Sequence, residues 1–103
     1  MVKLLNSHIV IDKEIALGLF NNESYVQMIY YEQNGTLVMA KDSDDMFKSF
    51  HKAKREILKD KNLLGDKAVN IREFIIDHAI AETNRPLTYF ADEAMHILNI
   101  YFE

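Results

Sequence analysis

Lys48, Lys52, Arg55 and Lys59 follow one another at spacings of four, three and four, so a helix through them would carry all four cations on one face. Cations aligned in this way can neutralise successive phosphates of a nucleic-acid backbone, and Lys61 and Lys67 extend the run. The same spacing also suits a plain solvated helix face, in which the Lys52–Glu56 and Glu56–Lys59 neighbours give small stabilisation. Apart from Phe50, on the apolar face, no aromatic residue interleaves with the four cations, so the stacking signature of single-strand binders is missing. The solvated face is the favoured reading, and contact with a nucleic-acid backbone is the one to test.

Other chemistry is less well supported. Asp42, Asp44 and Asp45 could face a hard cation, but Asp-Ser-Asp-Asp lacks the rest of a calcium loop and reads as a helix cap. His8, His51, His78 and His96 are scattered without a metal-ligand spacing. Asp77-His78 beside Glu73 could form an acid–base pair, yet no nucleophile or oxyanion donor accompanies it. Three glycines (Gly18, Gly35, Gly65) form no phosphate loop. The chain reads as a non-enzyme without cofactor or metal.

The elements that would position these residues follow from periodicity. Val2 to Ile11 reads as one strand, with β-branched residues crowding its end. Lys13 to Phe20 sets Ile15, Leu19 and Phe20 at helical spacing, and Asn21–Ser24 is loop chemistry. Tyr25–Tyr31 and Thr36–Ala40 are hairpin arms about Asn34-Gly35, a pair suited to a type I′ turn with positive φ at both residues. The Asp42–Asp45 cap should open a helix from about Asp45 to Leu58, with Phe47, Phe50 and Ile57 on its apolar face and Lys54 interrupting it. Lys61–Lys67, with Gly65-Asp66, is a connector.

Ile71, Phe74, Ile75, His78 and Ala79 fit an amphipathic helix, and Arg85-Pro86 ends helical structure. Leu87–Phe90 and His96–Phe102 are favoured as strands joined at Ala91–Ala94; read as a helix, they would be apolar round the whole circumference. An offset of 59 then superposes Val10 on Val69, Glu14 on Glu73, Ile15 on Phe74, Glu23 on Glu82, Tyr30 on Tyr89 and Val38 on Ile97. Strand, short helix and hairpin occur twice, and each half has too little sheet to bury its own apolar face. The aromatic residues of the hairpins read as core and cross-strand packing.

With 103 residues and 49% hydrophobic content, one domain is expected, and association into a dimer would bury more of its surface. The chain has no cysteine, no charged-then-apolar leader and no apolar run of membrane-spanning length, which suits a soluble cytoplasmic protein. A net charge of −4 argues against nonspecific polyanion binding by the whole molecule, but its distribution is uneven. Residues 48–67 hold seven Lys/Arg against three acids, between ends in which acids outnumber cations.

The stretch His8-Ile9-Val10-Ile11-Asp12-Lys13-Glu14-Ile15, followed by the 25–40 hairpin, resembles the swapped-hairpin regulators of the AbrB/SpoVT type over roughly residues 3–41. The second copy is similar to the two-unit arrangement of MraZ-like proteins. The resemblance implies an α+β protein of swapped-hairpin barrel units, strand–helix–hairpin repeated, here joined by the basic amphipathic helix. Residues 1–42 would be the first unit, 43–64 the basic helix and connector, and 65–103 the second β-rich unit. It also implies a homodimer, because such hairpins complete their barrel by exchange, and a small transcription-regulator-like or antitoxin-like role.

Where the family carries a basic residue before the strand, a helix-opening proline and an arginine after the helix start, this chain has His8, Asp12 and Ala16. Duplex DNA would then be met by Lys3, His8 and Lys13 together with Lys48, Lys52, Arg55 and Lys59. The alternative is a dimerisation or protein-docking module that keeps the fold without DNA activity, its acidic ends facing a basic partner. The position of the basic helix relative to His8 and Lys13 separates the two readings.

Overall fold

The computed structural model describes residues 1–21 and 23–102. Asn22, in the expected Asn21–Ser24 loop, and Glu103, at the end of the second unit, lie outside the described residues. The chain is an α+β fold of two antiparallel five-stranded sheets and three helices, and neither sheet closes on itself.

The N-terminal strand is two strands. β1 (Val2–Leu5) and β2 (His8–Ile11) pair from Leu5↔His8 to Val2↔Ile11 across Asn6-Ser7, whose φ angles are 49° and 63°. Two left-handed residues are what a tight hairpin with right-handed strand twist requires. Ile71 N–H donates to the Ser7 carbonyl at 3.0 Å and ties the turn to the second half. α1 (Lys13–Phe20) is opened by Asp12, whose carboxylate accepts from Ile15 N–H at 3.2 Å, and it buries Ala16, Leu19 and Phe20.

β3 (Tyr25–Tyr31) and β4 (Thr36–Lys41) form the expected hairpin, but not through a two-residue turn. Register closes at Tyr31↔Thr36, residues 32–35 make the loop, and of Asn34 and Gly35 only Gly35 has positive φ, at 61°. The expected type I′ geometry is corrected to a four-residue loop.

The helix expected over Asp45–Leu58 is corrected as well. α2 is Asp45–Phe50, capped by Asp44, which accepts from Phe47 N–H at 2.9 Å. Lys54–Ile57 is strand β5, followed by β6 (Lys59–Asp60). β5 pairs with β3 from Tyr25↔Ile57 to Met28↔Lys54, so the open edge of the hairpin overrides the helical preference of Lys, Arg and Glu. The swapped-hairpin reading's amphipathic connecting helix is therefore a single short helix and a strand.

β7 (Lys67–Asn70), α3 (Arg72–His78), β8 (Arg85–Pro86), β9 (Thr88–Asp92) and β10 (Ile97–Tyr101) complete the chain, with residues 88–101 as strands rather than helix. One sheet runs β6-β7-β2-β1-β8 and the other β5-β3-β4-β10-β9. The chain passes from sheet to sheet three times, once through α1 and twice at buried corners. Leu58 N–H donates to the Ser24 carbonyl at 2.8 Å, and Leu87 N–H to the Val2 carbonyl at 2.9 Å.

Strand, helix and hairpin thus recur as β2-α1-β3-β4 and β7-α3-β9-β10, and the halves meet through β2–β7 and β4–β10. Each sheet takes strands from both halves. Leu4, Ile9, Ile11, Met28, Met39, Val69, Leu98 and Ile100 fill the core between them.

Candidate nucleic-acid interface

Register places one row of side chains across the outer face of the first sheet. Lys3 is opposite Val10, Val10 opposite Ala68, and Ala68 opposite Lys59. The neighbouring positions Leu4, Ile9 and Val69 belong to the core, so period-two alternation turns this row outward. With strands about 4.8 Å apart, Lys3 and Lys59 stand roughly 14 Å apart with two small side chains between them. Leu5, His8 and Asn70 form the next row on the same face. His8 Nδ1–H donates to the Asn6 carbonyl at 2.8 Å, which fixes the ring.

Lys61 completes the group. It lines a groove of about 350 Å³ with Leu5, His8, Val10, Lys59 and Ala68, and a smaller one of about 150 Å³ with Lys3, Asp12 and Asp66. Lys13 stands at the start of α1, and its stem packs so closely on Gly65 that a Cβ there would lie 3.1 Å from Lys13 Cγ and Cδ.

Of the acids nearby, two are paired with cations, and the third, Asp66, interacts electrostatically with Lys3. Asp12 holds the N-terminal ammonium and caps α1, and Asp60 pairs with Lys67. Asp66 accepts from Asn62 Nδ2 at 3.0 Å and from Lys13 N–H at 2.9 Å, and these two hydrogen bonds hold its carboxyl below the usual value. Among the described residues, Lys3, Lys59 and Lys61 take no ion pair.

The remaining expected cations lie elsewhere, because the helix that would align them is not formed. Lys48 is on α2, Lys52 in the connector after it and Arg55 on β5. Arg55 Nε donates to Asp42 at 3.2 Å while its guanidinium lies 3.6 Å from the Tyr25 ring centre. Lys48 Nζ is 3.9 Å from the same carboxylate, which also accepts from Gln27 Nε2 at 2.6 Å. Partial burial pushes Asp42 up, but the bonds from Arg55 and Gln27 outweigh it and its carboxyl sits below the usual value. Beside them Lys54 pairs with Glu73, a hydrogen bond that raises the lysine above its ordinary value. Thus Lys3, His8 and Lys59 come together with Lys13 nearby, while Lys48, Lys52 and Arg55 form a separate group in which Lys48 and Arg55 share the single negative charge of Asp42.

One pairing had no signal in the sequence. His78 Nδ1 bonds to Glu32, 46 positions away, not to Glu73 on its own helix. The imidazole lies 4.6 Å from the Tyr30 ring centre at one wall of a cleft of about 530 Å³ that Asp77, Arg85 and Phe102 also line. Arg85 Nη1 donates to the Ala81 and Thr83 carbonyls at 2.9 and 2.7 Å, so it braces its own loop. Neither a nucleophile nor, among the described residues, a cluster of three metal-ligating groups accompanies the pair.

Comparison with protein-family models, curated proteins and solved structures gives no match. Among the described residues, no helix is long and apolar enough to cross a membrane.

Proposed function

We propose that this chain is a small transcription-regulator-like or antitoxin-like protein of the AbrB/SpoVT type, with two swapped-hairpin units in one chain. On this reading it contacts duplex DNA through the outer face of its first sheet. The observation that carries the proposal is the row Lys3–Val10–Ala68–Lys59, with His8 and Lys61 beside it and, among the described residues, no ion pair to its lysines. A spacing of roughly 14 Å between end cations exceeds the major-groove width of about 12 Å, so they would reach phosphates on either side of it. Lys3, Lys59, Lys61 and Lys13 act as phosphate contacts, and His8 faces the groove. Lys48, Lys52 and Arg55 stay outside this interface. The recurrence of strand, helix and hairpin supports the family reading.

Four phosphate contacts give a salt slope of about −3.6, so affinity for random duplex should fall about a hundredfold between about 50 and 200 mM salt. Fluorescence anisotropy with a labelled random duplex tests this. Absence of binding at the lower salt would overturn the reading.

A second reading, a dimerisation or docking module without DNA activity, draws on the second sheet. α2 and its C-cap lie against the outer side of β3, where the His51 ring meets Phe47 and bonds to the Tyr31 hydroxyl at 2.5 Å. Among the described residues nothing comparable covers the outer side of β9–β10, and Phe90 is 56% exposed there. Sedimentation equilibrium of the wild type and Phe90→Glu separates a homodimer through this face from a monomer.

A further inference from the structure

Leu63 and Leu64 are the most conspicuous apolar exposure in the molecule, 106% and 74% accessible at the tip of the β6–β7 loop. Single exposed leucines are ordinary, but this is an adjacent pair on a braced tip. Asn62 Oδ1 accepts from Leu64 N–H at 3.0 Å and from Asp66 N–H at 3.3 Å. Lys61 N–H donates to the Asp66 carbonyl at 2.8 Å, and Asp66 in turn anchors to the start of α1 through Lys13 N–H. Gly65, at φ 103°, allows the chain to turn back against the Lys13 stem. The loop therefore presents both leucines to solvent instead of folding them onto the apolar strip of Val10 and Ala68.

The surroundings say what kind of partner meets them. Asn62 and Asp66, which hold the tip, line the same groove as Lys3 and Lys61. Apolar side chains projecting beside unpaired lysines suit a polyanion with an apolar interior that a side chain can enter.

We propose that the Leu63–Leu64 tip is a wedge that enters the minor groove of duplex DNA, opens a base step and bends the duplex. Leucine is among the residues used in this way, and partial unstacking kinks DNA by about 20–90°. A bilayer is the other surface of matching chemistry. Two leucines bring fewer apolar carbons than one myristoyl chain, which itself gives only marginal membrane binding. A wedge needs only one or two side chains. The proposal rests on the DNA reading and adds deformation to it, so pyrimidine–purine steps, which unstack most readily, should be the preferred sites.

The test uses the full chain and a 25-base-pair duplex with a central TA step, carrying a donor and acceptor dye at its ends. Wild type should bind and raise energy transfer. Leu63→Ala/Leu64→Ala changes only exposed side chains; it should lose the rise, keep the salt slope and bind about three- to tenfold more weakly, as removal of an apolar contact predicts. Binding by wild type without bending, or equal bending by the double variant, overturns the wedge and leaves the DNA reading standing. No binding at low salt overturns both. Leucine-dependent sedimentation with phosphatidylcholine–phosphatidylserine vesicles, without DNA bending, overturns the wedge in favour of a membrane role.

Discussion

Two regions of this molecule are rich in cations and differ in what the neighbouring acids do. On the outer face of the first sheet, Asp12, Asp60 and Asp66 are held by the N-terminus, by Lys67 and by backbone and amide donors, and Lys3, Lys59 and Lys61 are left without ion pairs among the described residues. Around α2 and β5 the balance is reversed. Asp42 takes both Lys48 and Arg55, and Glu73 takes Lys54. A count along the chain puts seven cations in residues 48–67, which the fold divides between the two regions, but the field available to a ligand depends on how charges pair.

The largest effect should come from reversing the unpaired cations. At about 50 mM salt each phosphate contact contributes on the order of tenfold in affinity, so Lys3→Glu with Lys59→Glu should weaken duplex binding at least about a hundredfold. Anisotropy titration reads this directly, and a loss under threefold would remove the row from the interface.

Some of this arrangement was legible in the sequence, and the pattern of success is physical. α1 and the 25–41 hairpin follow local rules, a side-chain cap and period-two alternation, and both formed. The β1–β2 turn was hidden because Asn6-Ser7 interrupts a nearly continuous strand pattern without a glycine, and Ser7 has to be held left-handed by the fold. Lys54–Ile57 carries helix-favouring side chains, and only its pairing to β3 makes it a strand. The candidate interface splits in the same way. Lys3 and His8 lie on neighbouring strands, but Lys59 joins them through β7, a register that no local pattern contains.

The paired region should matter to stability more than to binding. Asp42→Ala removes the partner of Arg55 and Lys48 and leaves the amide of the buried Gln27 without its acceptor, at a cost of about 1–3 kcal/mol. Urea denaturation measures it; a change within error would show the cluster to be dispensable. The pH dependence has a definite sign. Because the folded Asp42 titrates below its ordinary value, its stabilisation is present in full above that value and is lost as pH falls through the folded one. The stability gap between wild type and Asp42→Asn should therefore hold at neutral pH and shrink on acidification through the carboxylate range.

The tip beside the unpaired lysines offers a smaller perturbation. Gly65→Ala puts a side chain at φ 103° and against the Lys13 stem, which should destabilise by about 1 kcal/mol and loosen the Asp66–Lys13 bond. Amide exchange at Lys13 reports the loosening. Unchanged protection there would mean that the loop is braced by Asn62 and the Lys61–Asp66 backbone bond without Gly65.

The smallest effect is expected from the cations that the sequence singles out most plainly. Lys52→Gln with Arg55→Gln removes two positive charges, yet one of them is already compensated by Asp42 and neither shares a strand row with Lys3 and Lys59. At salt near about 0.15 M, exposed charges more than about 8 Å apart are largely screened from one another, so the duplex should sense this change only weakly. Affinity should stay within about twofold and the salt slope should remain near −3.6, because the number of phosphates neutralised is the same. A tenfold loss, with the slope reduced by about two, would instead mean that both side chains reach phosphates and that DNA binding draws Arg55 away from Asp42.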